Sequence, residues 1–427
     1  MHIILKNCRI VDPATKTDKK DLDIEIKDGV IVKIGSGISS KDAKIYDLAG
    51  KVVAPGFFDM HVHLREPGQE YKETIATGTA AAAVGGFTGV CCMPNTEPPI
   101  SDPYVVSYIK EKSRGSIVDV EICGTMTKAR KGDELAPIGA LVEAGVKMIS
   151  DDGSAVHSAE VMRRVFEYAK MFDVVCTEHC EERTMTHGTC IHEGKISTKL
   201  GLPGYPSVAE DIIIARDIMI AEYVGGARYH AAHISTKNAV ELVRQAKKKG
   251  LPVTCEVTPH HFTLTDEAVE TYWGNAKMNP PLREKEDIDA IIIGLQDGTI
   301  DCISTDHAPH AISEKETDMM TAAYGIIGLE SAVGLGLTYL VRTKKITLSD
   351  YITKCSVNPR KILKLGQIEI AEGHKANITI LDLDKEWIFS ESTIHSKSHN
   401  TPFIGTKLTG KAVGVVNNIQ AAGEIFS

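Results

Sequence analysis

The sequence predicts an α/β protein in which a (β/α)8 TIM-type barrel carries a small discontinuous β-sandwich. Two observations predict this architecture. Through the middle of the chain, eight apolar, strand-like runs alternate with amphipathic helical stretches. Both chain ends consist instead of short alternating strands without a helical period. An open doubly wound sheet is the alternative, but no glycine-rich dinucleotide fingerprint follows the first run.

The two β-rich ends are predicted to meet in one domain. Strands are predicted at residues 3–8, 23–27, 30–34 and 44–47, and again at 377–383 and 412–416. Neither end alone has enough strands to bury a core. We therefore predict a composite sandwich from residues 1–52 with 370–427, and a hydrolase barrel from residues 53–369.

The barrel strands are predicted from the eight apolar runs, which are residues 52–63, 87–93, 118–126, 146–150, 174–179, 229–234, 253–259 and 300–306. Most of them end in a polar or ionisable residue, as expected if their carboxyl ends form the rim of an active site. The helical stretches between them have ordinary core stripes. Residues 159–172 are one example, with apolar residues at helical spacing and charged residues turned outward.

Composition excludes several classes of protein. The 427 residues include 48 basic and 57 acidic side chains, a formal net charge of −9, without a long basic block, so a nucleic-acid-binding protein is not expected. No stretch of about 18 apolar residues predicts a membrane span. The N-terminus lacks the apolar core of a signal peptide, and many of the ten cysteines lie in apolar runs. We expect a cytoplasmic protein with reduced, buried thiols.

Ionisable residues at strand ends predict a metal site. His61 and His63 close the first run, and because strand side chains alternate, both imidazoles point to the same side, about 7 Å apart. An isolated His-x-His can also be two polar strand-end residues. Four other strand ends carry Asp151-Asp152, Glu178-His179, His230 with His233, and Asp306-His307. These ligands suit zinc and similar ions, and they exceed the three of a mononuclear site, so we predict two metals about 3.5–4 Å apart.

Four strings of residues resemble a known family. They are HVHLREPG at 61–68, MPNT at 93–96, SDDG at 150–153 and STDHAPH at 304–310. Together they resemble the dihydroorotases of the amidohydrolase superfamily, in particular their bacterial and archaeal subgroup, over nearly the whole chain. The resemblance implies reversible cyclisation of N-carbamoyl-L-aspartate to L-dihydroorotate and water, in de novo pyrimidine (UMP) biosynthesis. For ring opening it implies attack by hydroxide on the ring amide carbonyl, with Asp306 passing the proton to the leaving nitrogen.

The same resemblance implies a set of metal ligands for two Zn²⁺ per subunit. They are His61, His63 and Asp306 on one ion, His179 and His233 on the other, and an acidic bridge, which we assign to Asp152. Many relatives bridge with a carbamylated lysine, and Lys147 lies close by in sequence. Asp151 is a further alternative. The Asp-Asp-Gly string resembles the subgroup that dispenses with carbamylation.

Substrate recognition can be predicted from charge. Both N-carbamoyl-aspartate and dihydroorotate carry a carboxylate, so the pocket needs a planar bidentate donor, and Arg65 lies two residues after His63. Asn95 offers an amide, although it could also be a turn residue after Pro94. By resemblance the substrate-binding set also contains His63, Asn279, His310, Tyr324 and Gly325, the last two through backbone groups. His310 has an alternative interpretation as an ordinary loop residue.

Two kinds of rival remain. Dihydropyrimidinase, hydantoinase and allantoinase share the barrel but act on rings without a carboxylate, so Arg65 and Asn95 argue against them, and allantoinase would need Lys147. A noncatalytic scaffold subunit would be expected to have lost metal ligands, which are all present. The resemblance further implies a small-molecule substrate, a homodimer and an association with aspartate carbamoyltransferase.

Overall fold

The computed structural model describes residues 1–427 and contains two eight-stranded sheets and one two-stranded sheet. The strands are β1 (His2–Asp12), β2 (Thr17–Lys27), β3 (Val30–Gly35), β4 (Lys44–Asp47), β5 (Val52–Pro55), β6 (Phe57–Val62), β7 (Phe87–Cys92), β8 (Asp119–Gly124), β9 (Met148–Ile149), β10 (Val175–Glu178), β11 (Ile191–His192), β12 (Gly204–Tyr205), β13 (Tyr229–Ala231), β14 (Val253–Val257), β15 (Cys302–Ile303), β16 (Asn377–Ile388), β17 (Lys407–Asn417) and β18 (Gln420–Ala422). The α-helices are α1 (Ile75–Gly85), α2 (Pro103–Lys112), α3 (Ile138–Glu143), α4 (Ala159–Met171), α5 (Arg183–Thr186), α6 (Lys195–Leu200), α7 (Val208–Tyr223), α8 (Lys237–Lys248), α9 (Pro259–Thr263), α10 (Ala268–Tyr272), α11 (Lys285–Asp297), α12 (Ile312–Lys315), α13 (Leu329–Gly336), α14 (Leu348–Ile352) and α15 (Asn358–Leu363).

The predicted barrel is confirmed. Its eight parallel strands run in the order β6-β7-β8-β9-β10-β13-β14-β15, which is also their order along the chain. The ring closes between the first and last strands, because the His63 backbone N–H donates to His307 O at 2.8 Å and Val62 bridges to His307. Each strand falls within one of the eight predicted runs. Every residue of β6 and β7 is buried, as expected for a parallel sheet covered on both faces.

The first predicted run, residues 52–63, is not one strand. It divides at Gly56 into β5, which pairs with β1 and β16 in the other sheet, and β6, which belongs to the barrel. A Cβ on Gly56 would lie 1.9 Å from Asn377 Oδ1 and 2.2 Å from Thr88 Oγ1. The prediction of a single strand was wrong because two buried strands joined by a glycine have the same apolar pattern as one.

The chain ends meet in the second sheet, as predicted. Its strands run in the order β18-β17-β16-β5-β1-β2-β3, with β4 beside β1, so hydrogen bonds join strands from both ends into one sheet. A common core forms on it from residues such as Ile3, Ile24, Ile378 and Val416. The division at residues 52 and 370 stays a prediction.

The remaining expectations concern the helices and cysteines. Helix α4 begins after Ser158, whose side chain accepts a hydrogen bond from the Val161 N–H. It buries Val165 and Phe166, as predicted from the helical spacing of its apolar residues. All ten cysteines are buried and free of disulfides. None of the helices is both long and apolar enough to cross a membrane.

Candidate active site

The closure of the barrel brings three predicted ligands together. His61 lies on β6, His63 follows it, and Asp306 follows the neighbouring β15. Asp306 Oδ1 lies 2.9 Å from His63 Nε2 and 3.5 Å from His61 Nε2. Ligand atoms of all three residues lie within 4.8 Å of one another, and all three side chains are buried.

A second group forms around Asp152, which follows β9. Its Oδ1 lies 3.3 Å from His61 Nε2 and 3.9 Å from His233 Nε2, and its Oδ2 lies 3.5 Å from His63 Nε2. His233 Nε2 in turn lies 3.0 Å from His179 Nδ1. The Asp152 carboxylate therefore lies between the pair His61 and His63 on one side and the pair His179 and His233 on the other.

The donor atoms of this cluster fit divalent metal ions. His61 Nε2 and Asp152 Oδ1 are buried and have no hydrogen-bond partner in the protein, and buried polar atoms are rarely left in that state. Burial, and then the charge of His179, lower the pKa of His233 to about 3, so its imidazole is in the neutral form that binds metals. Nitrogen and carboxylate oxygen ligands in this mixture suit zinc and related ions.

The two histidines of the first strand are oriented by hydrogen bonds on their far nitrogens. His61 Nδ1 donates to Glu256 Oε1 at 2.6 Å, and His63 Nδ1 donates to Asn95 Oδ1 at 2.8 Å. With Nδ1 bonded in this way, each Nε2 faces the carboxylates of Asp152 and Asp306. Such outer partners fix the tautomer and raise the basicity of a ligating imidazole.

A cavity of about 250 Å³ opens onto the cluster. The predicted site residues that line it are His63, Arg65, Asn95, Asp152, His179, His233, Asn279, Asp306, His310, Tyr324 and Gly325. His61, the remaining one, is 1% exposed and lies beneath them. The structure thus brings the whole predicted set to one place.

Arg65 presents an available cation to this cavity. Its Nε donates to Pro309 O at 3.2 Å, and its Nη2 lies 3.3 Å from His310 Nε2. His310 Nε2 also lies 2.8 Å from the carbonyl of Tyr324, so it carries the hydrogen and cannot accept from Arg65. Both Nη atoms of Arg65 are therefore left for a ligand. Burial lowers the pKa of Arg65 to about 10, which still leaves it charged at neutral pH.

The three candidates for the bridge differ in their surroundings. The Asp151 carboxylate accepts from Met126 N at 2.9 Å and Thr127 N at 3.1 Å, and it also bonds the Thr127 hydroxyl. Lys147 precedes β9 and therefore lies at the opposite end of that strand from Asp152. There its charge lowers the pKa of Glu121, which burial raises. Of the three, only Asp152 lies between the two histidine pairs.

Comparison with known proteins gives the family. The dihydroorotase of Chlorobaculum tepidum is 50% identical over an alignment of 434 positions, which covers 98% of this chain and 99% of that protein. The dihydroorotase of Trichlorobacter lovleyi is 48% identical over 419 residues, with 97% and 98% covered. A family model described as Dihydro-orotase-like matches residues 50–239. The chain belongs to the dihydroorotase family.

Solved structures similar to this dihydroorotase family member include hydantoinases. The L-hydantoinase (dihydropyrimidinase) from Arthrobacter aurescens is 25% identical and has a TM-score of 0.88, with 99% of this chain and 96% of that chain covered. The D-hydantoinase (dihydropyrimidinase) from Thermus sp. is also 25% identical, with a TM-score of 0.81 and 99% and 97% covered. Together with the dihydroorotase relatives, they identify the protein as a cyclic amide hydrolase.

Three residues near the site of this family member were not predicted. Glu256 on β14 contacts His61, and Glu181 Oε2 lies 3.2 Å from His179 Nε2. Arg130 lines the cavity and donates to the backbone carbonyl of Asp152. Glu256 could have been found from the sequence, because a carboxylate inside an apolar strand run needs a buried partner. Arg130 lies in a loop where neither periodicity nor a motif marks it.

Proposed function

We propose that this protein is a zinc-dependent dihydroorotase that interconverts N-carbamoyl-L-aspartate and L-dihydroorotate in the cytoplasm, in pyrimidine biosynthesis. The observation that carries the proposal is the available guanidinium of Arg65 in the same cavity as the buried His/Asp cluster. The cluster suits attack on an amide, and the guanidinium suits a substrate that carries a carboxylate. Relatives named dihydroorotase that match nearly the whole chain support this choice.

The metal cluster would hold two Zn²⁺. We assign His61, His63 and Asp306 to one ion, His179 and His233 to the other, and Asp152 to the bridge. Bound there, the ions would lower the pKa of water and polarise the amide carbonyl. The position of the Asp152 carboxylate between the two histidine pairs supports its role.

Asp306 is our candidate for the proton carrier. Its Oδ1 faces His63, whereas its Oδ2 makes no hydrogen bond within the protein and the residue lines the cavity. Burial raises the pKa of this carboxyl group, but the charge of His61 and the hydrogen bond from His63 outweigh burial and hold the pKa below its usual range. The ionised Oδ2 would accept the proton of the attacking water and pass it to the ring nitrogen as the amide opens.

The walls of the cavity would orient the ring. Arg65 and Asn95 would hold the carboxylate, and Asn279 and His310 would contact the ring. The Gly325 N–H already donates to Lys277 O at 3.0 Å, and the Tyr324 and Gly325 carbonyls also have partners. The Tyr324 N–H is the backbone group of this segment that is left to bind substrate.

A substrate panel with metal analysis tests the proposal. Purified protein should contain one to two equivalents of zinc or a similar ion and should turn over dihydroorotate far faster than dihydrouracil, hydantoin or allantoin. Protein that holds metal but prefers any of the other three rings would contradict the dihydroorotase function. Protein that hydrolyses none of the four would favour a noncatalytic scaffold.

The quaternary proposals rest on the resemblance alone. We propose a homodimer that associates with aspartate carbamoyltransferase. Light scattering of the purified protein should give twice the mass of 46.3 kDa. Mixing with the transferase should give a larger complex, and separate elution of both proteins at micromolar concentration would contradict the association.

A further inference from the structure

A segment from the C-terminal part of the chain completes the rim of the cavity. Residues 395–401, which we call the strap, lie in the middle of the connection from β16 to β17. Both of these strands belong to the sheet formed by the chain ends. The strap therefore leaves that sheet, reaches the barrel rim beside residues 308–310 and 324–327, and returns.

Asn400 of the strap joins two segments of the rim. Its Oδ1 accepts from the His310 backbone N–H at 3.0 Å, and its Nδ2 donates to Ala308 O and Gly325 O, both at 3.0 Å. Its own backbone carbonyl accepts from Ile327 N at 2.9 Å. The side chain is 4% exposed, and both amide hydrogens and the amide oxygen are bonded.

These contacts fix residues that we assign to substrate binding. His310 and Gly325 line the cavity, whereas Asn400 does not. The His310 ring bonds the Tyr324 carbonyl and lies against Arg65, so a shift of the His310 backbone would move the wall that faces the guanidinium. Asn400 thus acts on the substrate only through its neighbours.

The rest of the strap has its own anchors. The backbone N–H groups of His395 and Ser396 each donate to Glu330 Oε1 at 2.9 Å, and Ser398 Oγ donates to Lys72 O at 2.7 Å. None of these strap contacts involves a residue that lines the cavity. Replacing Asn400 should therefore release the rim while the strap stays in place.

We propose that Asn400 is a positioning residue for substrate selection, because it holds His310 and Gly325 in the wall against which Arg65 lies. The inference deepens the proposed dihydroorotase function and rests on it. It also assigns a role in the active site to the sheet formed by the chain ends, because that sheet carries the strap.

The test compares Asn400→Asp and Asn400→Ser with the matched control Ser398→Ala. Aspartate keeps the acceptor for His310 but places a carboxylate oxygen against two carbonyl oxygens, and serine is too short to reach its partners. Asn400→Asp loses two side-chain hydrogen bonds and Asn400→Ser loses three. Either loss should raise KM for dihydroorotate about ten- to a hundredfold, while kcat changes less and metal content stays at the wild-type value. Ser398→Ala should keep the wild-type KM.

The outcomes separate positioning from a merely structural role. An unchanged KM in a folded Asn400→Ser variant, or an equal rise in Ser398→Ala, would overturn the proposal. So would losses of kcat and metal without a change in KM. If Asn400→Asp does not fold, Asn400→Ser gives the answer, because it introduces no repulsion.

Hydrogen exchange gives a readout that does not depend on the substrate. The His310 amide loses its acceptor in Asn400→Ser, so peptides that contain it should exchange faster than in wild type and in Ser398→Ala. A wild-type protein inactive on dihydroorotate would refute the proposed function, and the exchange data would still judge the positioning role. Unchanged exchange at His310 would refute that role.

Discussion

Replacing Arg65 with methionine should separate recognition of the carboxylate from chemistry at the ring. Arg65 is 7% exposed, and its Nε is bonded to Pro309 O, so only the two Nη atoms serve a ligand. A charge-assisted hydrogen bond contributes about 1.5–3 kcal/mol. Losing one bond sets a lower limit of about tenfold in kcat/KM for dihydroorotate, and losing both should cost about a hundredfold or more.

The assay measures kcat/KM for dihydroorotate and dihydrouracil with wild type, Arg65→Met and Arg65→Lys. Lysine keeps the charge but loses the planar fork, so it should also be impaired on dihydroorotate. Metal content and melting temperature serve as controls, because methionine leaves Pro309 O without its donor. Equal losses on both substrates would refute the reasoning and would mean that Arg65 only supports the loop after His63.

Three further predictions concern the metal cluster and the joint between the sheets. Asp152→Ala should lose metal and activity. Lys147→Ala should keep both, and added bicarbonate should not change its activity. Mass evidence for a carboxylated Lys147 would reverse this assignment. Glu256→Gln should weaken metal binding about 10- to 100-fold in chelator competition, because glutamine is a weaker acceptor for His61. An unchanged metal affinity would contradict the role of Glu256 in orienting His61. Gly56→Ala should lower the free energy of unfolding, measured in urea, by about 1–3 kcal/mol. The control Gly35→Ala should change it little, because a Cβ there meets nothing within 4 Å. Equal effects of the two substitutions would contradict the steric argument.

The parts of the structure that were predictable follow from local physical rules. Buried parallel strands are apolar on both faces, so each barrel strand left a visible run. The candidate ligands could be brought together from the sequence because they lie at the carboxyl ends of those strands, from His61 on β6 to Asp306 after β15. The break at Gly56 was missed because the apolar pattern has no feature that distinguishes a change of sheet from a continuous strand.

The parts that were missed depend on contacts distant in sequence. Asn400 bonds His310 across 90 positions, and Glu256 bonds His61 across 195. A lone asparagine in a polar segment is typical of a loop, so nothing local marks Asn400. Arg130 has the same difficulty, because its role near Asp152 arises only when the loop after β8 folds over the cavity rim.

The fold and the metal cluster do not by themselves select the substrate. Hydantoinases share this architecture with TM-scores of 0.81 and 0.88, and a metal cluster that polarises an amide acts on any cyclic amide placed above it. Selection must therefore come from the rim, where Arg65 lies. On our assignment, a ring with a carboxylate would satisfy this cation, whereas a ring without one would leave it unpaired in a cavity that the ligand has closed to water. Sites built to bond a polar group reject analogues for that reason. Arg65→Met should consequently improve turnover of dihydrouracil relative to dihydroorotate by removing this penalty as well as the attraction.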